Sequence, residues 1–194
     1  MTNQHIKNKI KFYQDFPKKG ISFIDLLPLL GDAKAFSEVI RELAAMVSSP
    51  NVAAPEARGF IFAAPLLAIP DNHINSLAVF RKPGKLPFND GDLVTVPIVK
   101  EYGSDNICFR KSDFEPMATV DGLDYIPVTV LDDVLATGGT AEAMALQINT
   151  LSRHCNNKTI PFRVTEFVFL AEIVDINARQ RLQKIAPVKS LLTF

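Results

Sequence analysis

The chain has too few cysteines for a disulfide framework and no run of the roughly 18 apolar residues that a membrane span requires. Its two cysteines, Cys108 and Cys155, have no ligand spacing; only His154 stands directly beside the second. Both read as incidental thiols, which points to a reducing cytosol and a cytoplasmic protein. Net charge is also lacking: 21 Lys and Arg balance 21 Asp and Glu. No overall field draws the chain towards nucleic acid or an acidic membrane. The N-terminus, M-T-N-Q-H-I-K-N-K-I, has no apolar core of signal-peptide length. No repeat, low-complexity tract or linker divides the chain, so residues 1–194 read as one domain. That length buries a full core without metal or disulfide support.

What the sequence does contain is centred on Pro127 to Thr140, P-V-T-V-L-D-D-V-L-A-T-G-G-T. Val128 to Leu131 form a short, mostly β-branched run suited to a parallel strand covered on both faces. Asp132 and Asp133 follow where open α/β sheets bind ligands, beyond the carboxyl ends of the strands. Ala136, Thr137, Gly138, Gly139 and Thr140 then form a turn of little bulk that lets the backbone approach a ligand. Ala141, Met144, Ala145, Ile148 and Leu151 continue at helical spacing, so the turn delivers a helix N-terminus. Converging N–H groups and the positive end of a helix favour phosphate. Two carboxylates beside it suit ribose hydroxyls or a magnesium ion held through its water shell. Together they indicate a phosphorylated sugar.

Elsewhere the spacing predicts a helix capped by Asp32, with Phe36, Val39, Ile40, Leu43, Ala44 and Val47 on one face. Ile10 to Asp25 has no clean period and reads as an irregular packed segment. Val52 to Ala54 form a short strand leading to E-A-R-G, before an apolar helix from Phe60 to Ile69. Arg58 in that strand-to-helix turn is either a fork for phosphate oxygens or a surface arginine. Ser76 to Phe80 lead into R-K-P-G-K-L-P, where Arg81, Lys82 and Lys85 on a constrained turn make an anion site or a solvated loop. Phe88 to Asp105 reads as a long mobile cover, with Ile107 to Arg110 re-entering the sheet. Arg163 to Ile173 and Val188 to Phe194 read as strands on either side of a short helix from Asn177 to Ile185. Alternating strands and helices imply an α/β fold with a mainly parallel central sheet flanked by helices.

An acidic pair after an apolar strand, followed by A-T-G-G-T, resembles the signature of the type I phosphoribosyltransferases. Five ordered stretches, F-P-K-K-G-I-S-F-I-D, E-A-R-G-F-I-F, R-K-P-G-K-L-P, E-Y-G-S-D and V-L-D-D-V-L-A-T-G-G-T, are similar to the adenine phosphoribosyltransferase family within that class. The resemblance implies the type I fold with a mobile catalytic loop and a small hood, and residues 1–30 contributing to the base pocket. It also implies formation of AMP from adenine and 5-phosphoribosyl 1-pyrophosphate (PRPP) in purine salvage, by a magnesium-dependent homodimer that binds neither nucleic acid nor membrane.

By the same resemblance, Ala136 to Thr140 hold the 5-phosphate, Asp132 and Asp133 engage ribose and magnesium, and Arg58 meets the pyrophosphate. Lys82 and Lys85 assist there, and Arg81 extends towards a neighbouring subunit. Glu101, beside Tyr102, takes the proton-relay role; without the resemblance it is a loop carboxylate. Phe23, Ile24 and Ile173 line the base pocket. Ile24 occupies a position where the family usually carries arginine, so guanine, hypoxanthine or a modified adenine is the alternative substrate. Lys19, Ala63 and Ala178 depart from the family pattern as scaffold changes.

Overall fold

A computed structural model describes residues 2–16, 18–20, 22–99, 104–155, 158–174 and 177–194. Its centre is a parallel sheet of β3 (Asn51–Pro55), β4 (Ser76–Phe80), β7 (Ile126–Leu135), β9 (Lys158–Glu172) and β10 (Val188–Thr193). Their spatial order is β10-β9-β7-β3-β4, and every neighbouring pair in it is parallel. A short strand, β8 (Ser152–Cys155), runs antiparallel to the start of β9.

The β-branched run at the centre behaves as its composition demands. Residues 126–131 of β7 are buried without interruption, because both faces of the sheet are covered. Successive side chains alternate between those faces. Val128 and Val130, with Phe167 and Phe169 of β9, join the core that contains Phe80, Phe109, Met144 and Ile148. Leu131, with Val168 and Leu170, joins the opposite core, made with α2 (Ala33–Met46) and the short α3 (Arg58–Ala63). Asp32 caps α2, its Oδ1 accepting from the N–H groups of Lys34 and Ala35 at 3.1 Å each. Val39, Ile40, Leu43 and Ala44 are buried along the expected stripe.

Three stretches differ from their sequence readings. The helix expected from Phe60 to Ile69 is α3 followed by a 3-10 turn, Ala64–Ala68. Pro65 has no N–H to extend the α-helical ladder, so the chain tightens there. The irregular segment from Ile10 to Asp25 contains an antiparallel hairpin, β1 (Lys11–Gln14) and β2 (Ser22–Asp25), preceded by α1 (Thr2–Lys7). All four residues of β1 are exposed, which explains why no alternation marks it. Finally, Leu93–Val99 (β5) and Ser104–Arg110 (β6) form their own antiparallel ribbon instead of the latter rejoining the sheet. A single bridge between Arg81 and Cys108 ties this ribbon to the end of β4. Between Gly139–Ile148 (α4) and Ala178–Leu182 (α5) the expected strand is present as β9, beginning earlier than Arg163 and preceded by the unexpected β8. No helix among the described residues is long and apolar enough to cross a membrane.

Candidate active site

The two carboxylates do not follow the strand; they belong to it. β7 continues to Leu135, pairing Asp132 with Phe169 and Val134 with Ala171 of β9. Asp132 and Asp133 are therefore fixed by the sheet at its carboxyl edge, where they line a cavity of about 210 Å³. Opposite them the chain turns into α4. Gly138 caps that helix at φ +74°, a left-handed conformation that costs an L-residue about 1–2 kcal/mol. The first N–H groups of a helix have no intrahelical acceptor, so this turn presents donors and a positive dipole end to the cavity. Ala136, Thr137, Gly138, Gly139 and Thr140 all line it. The geometry is that of a small-residue turn and a helix N-terminus facing an acidic pair.

Arg58 completes the cavity from the start of α3. Its Nε lies 2.8 Å from Asp133 Oδ2, an ion-pair contact. The N–H is not aligned on that oxygen, and Oδ2 remains buried without a hydrogen bond. Asp132 Oδ1 accepts from the Asp133 N–H at 2.8 Å. Burial pushes the Asp132 carboxyl well above its ordinary range, and the neighbouring Asp133 adds to the effect. Asp133 is also raised, chiefly by burial, with Arg58 opposing the shift. Two charges on this buried pair are therefore costly, and the pair is suited to a cation or to hydroxyl donors. Gly59 makes the packing possible: a Cβ there would stand 2.9 Å from Pro55 Cδ and 3.0 Å from Asp132 Oδ1.

The residues assigned to the base pocket do not share one environment. The Phe23 ring lies beneath the Arg58 guanidinium at 5.1 Å and meets the edge of Phe16 at 5.2 Å. Ile24 is only 4% exposed and packs in the core on the α2 side of the sheet. Its carbonyl accepts a long contact from Arg58 Nη1 at 3.5 Å. Ile173 is half-buried against that same core, and its N–H donates to Leu135 O at 3.0 Å. Glu101 lies outside the described residues.

Arg81, Lys82 and Lys85 stand apart from the cavity on a turn of their own. Lys85 N–H closes that turn on Lys82 O at 3.3 Å, with Pro83 and Gly84 between them. Arg81 donates from Nε to Glu56 Oε2 at 2.8 Å and from Nη1 to Lys85 O at 2.9 Å. Lys85 Nζ is 3.8 Å from Glu56 Oε1. Lys82 is exposed.

Sequence reasoning passes over Glu56, although an acidic residue two positions before Arg58, ahead of a three-cation turn, is a signal for such pairing. It also misses the clamp behind Ile173, in which Arg179 pairs with the buried Glu172 and Ser190 Oγ donates to Glu172 Oε2 at 2.6 Å. No local spacing announces that clamp, because β9, α5 and β10 meet only through the fold.

A parallel sheet with a small-residue turn, a helix N-terminus and an acidic pair at its carboxyl edge defines the type I phosphoribosyltransferase class, and relatives of known sequence and structure agree. No family model matches the chain. A curated adenine phosphoribosyltransferase from Thermoanaerobacter pseudethanolicus is 37% identical over 188 residues, covering 94% of each chain. That from Chloroflexus aurantiacus is 35% identical over the full length of both. The crystal structure of the Thermoanaerobacter pseudethanolicus enzyme superposes with a TM-score of 0.78, covering 98% of this chain and 99% of its own at 36% identity. The Saccharomyces cerevisiae enzyme, solved with an imino-altritol bisphosphate and adenine, gives 0.74 at 28% identity and 98% coverage of both. The chain belongs to the adenine phosphoribosyltransferase family.

Proposed function

We propose that the protein transfers the 5-phosphoribosyl group of PRPP to N9 of adenine, giving AMP and pyrophosphate in purine salvage. The observation that carries this reading is the convergence of Asp132, Asp133, Arg58 and the 136–140 turn on one cavity. The turn would hold the 5-phosphate through backbone N–H groups and the Thr137 and Thr140 hydroxyls, and the acidic pair would accept from the ribose hydroxyls. Arg58 stands where a guanidinium could exchange Asp133 for pyrophosphate oxygens. The cations at Arg81, Lys82 and Lys85 would take up the rest of that leaving group.

As the bond from the anomeric carbon to pyrophosphate oxygen breaks, the leaving group departs with the electron pair and positive charge develops on the ribose. N9 supplies the electron pair of the new bond, and its proton passes to a carboxylate. Glu101 is the residue for that role. Catalysis then comes chiefly from alignment and from stabilising the departing pyrophosphate.

The donor set also fits magnesium. Among the described residues no cluster of three His, Cys, Asp or Glu forms a closed cage. Two carboxylates, one with a buried oxygen that accepts no hydrogen bond, suit an ion that keeps its waters and shares substrate oxygens. Asp132 and Asp133 would hold it, and it would supply charge neutralisation of the pyrophosphate. The 1–30 segment would form one wall of the base pocket through Phe23, within a single domain of residues 1–194. A homodimer in the cytoplasm is the setting this reading assigns.

The test is AMP formation from adenine, PRPP and magnesium, with guanine and hypoxanthine in parallel. Turnover of adenine alone is expected. Equal or better turnover of another purine would move the assignment to that base and make the loss of arginine at Ile24 its cause.

A further inference from the structure

We infer that Glu56 is the positioning residue for the leaving group: it holds the Arg81–Lys85 turn in the form that receives pyrophosphate. The inference rests on the phosphoribosyl-transfer reading above and assigns a task to a residue which that reading leaves unused. Glu56 follows β3 directly, and its N–H donates to Phe80 O at 2.8 Å, extending the ladder past the end of β3 onto the last residue of β4. Its side chain is only 8% exposed, although it is charged and stands at the edge of the sheet. That burial is opposed by what surrounds it. Burial alone would push the carboxyl up, but the Arg81 hydrogen bond and the Lys82 backbone, with the charges of Lys85 and Arg81, bring it below its ordinary value.

Three cations within five residues repel one another, and a Pro-Gly turn alone does not fix their side chains. Glu56 binds two of them, Arg81 through Oε2 and Lys85 within 3.8 Å of Oε1. Arg81 in turn closes the turn by donating to Lys85 O. The Arg81 backbone is also held, exchanging N–H···O bonds of 2.8 and 2.6 Å with Cys108 of β6. One buried carboxylate therefore ties the end of β3, the cationic turn and the β5–β6 ribbon into a single unit. Lys82 is left exposed at the head of that turn, and the Arg81 Nε and Nη1 donors face inward. The arrangement neutralises part of the repulsion in advance and leaves the turn ready for a polyanionic leaving group.

The test compares Glu56→Gln, Glu56→Ala and Glu56→Asp with the parent enzyme. Binding of inorganic pyrophosphate and of ribose 5-phosphate is measured by titration calorimetry, and KM and kcat are measured for PRPP and adenine. Glu56→Ala is expected to weaken pyrophosphate and raise the KM for PRPP by on the order of tenfold. Ribose 5-phosphate affinity, which does not use the turn, should stay within about twofold, as should the KM for adenine. Glu56→Asp should recover part of the loss, and Glu56→Gln, which keeps an acceptor for Arg81 without the charge, should fall between. Unchanged or tighter pyrophosphate binding in Glu56→Ala would overturn the inference, the latter by showing that Glu56 competes with the ligand. An equal loss of ribose 5-phosphate affinity would also overturn it, by showing general damage. Failure of the parent enzyme to turn over PRPP with any purine would instead defeat the phosphoribosyl-transfer reading.

Discussion

Replacing Gly138 by alanine tests the phosphate cradle and its backbone at the same time. Gly138 is held at φ +74°, where a Cβ crowds its own following carbonyl. The space around it is not the obstacle: a Cβ would meet Ala178 Cβ at 3.4 Å, Leu135 Cδ1 at 3.5 Å and Leu182 Cγ at 3.5 Å, close to ordinary contact. The cost is therefore conformational, about 1–2 kcal/mol. For a chain of this size each kcal/mol lowers Tm by about 2–4 °C, so a fall of roughly 2–8 °C is expected. If the backbone relaxes to avoid that cost, the N–H groups of the turn swing off the phosphate position. KM for PRPP should then rise while KM for adenine does not. Gly138→Asn, whose side chain tolerates the left-handed region better, should recover part of the stability. Differential scanning calorimetry and steady-state kinetics read both effects. An alanine variant with unchanged Tm and unchanged KM for PRPP would refute the claim that the turn needs this conformation.

Other consequences follow from the same geometry. Arg58→Ala should weaken PRPP by at least about tenfold, because it removes the guanidinium from the cavity wall and leaves Asp133 buried without its cation; PRPP titration checks this. Gly59→Ala should cost about 1–3 kcal/mol and displace Asp132, since neither Pro55 nor a carboxylate fixed in β7 yields easily; denaturant unfolding and the KM for PRPP would show both. Glu166 offers a pH test away from the site. Burial opposes its charge, but Lys189, the Ser48 N–H and the Thr129 hydroxyl outweigh that and lower its pKa from the usual 4.5. A lowered folded value means stability that is complete above the unfolded value and lost as pH falls through the folded one. Tm followed between about pH 6 and pH 3 should therefore drop less steeply in Glu166→Gln than in the parent. Glu101→Ala should lower kcat more than PRPP affinity, and an unchanged kcat would remove Glu101 from the proton relay.

The parts of the fold that could be read from sequence were those whose periodicity reflects a single burial pattern. The α2 stripe and the continuous run of β7 are each buried as their spacing requires. Asp132 and Asp133 read as following the end of the strand, at the right edge of the sheet, because two charges look like a strand terminus; pairing of Asp132 with Phe169 and of Val134 with Ala171 carries the strand past them. The N-terminal hairpin was illegible for the opposite reason, since a strand exposed on both faces has no alternation to read. At the cavity, the 136–140 turn and the acidic pair are contiguous in sequence and could be seen together. The partners of Arg58 and Ile173, Asp133 and Leu135, come from the distant strand β7, and no local spacing pairs them; Arg81 meets Glu56, whose charge ahead of the cationic turn was the one available signal.

The most direct test of the account is a crystal structure with AMP and magnesium. The phosphate is expected within hydrogen-bonding distance of the N–H groups of residues 137–140, with the ribose hydroxyls on Asp132 and Asp133. The purine is expected on the Phe23 side of Arg58. A phosphate seated on the Arg81–Lys85 turn, or a ribose facing away from the acidic pair, would contradict the site assigned here.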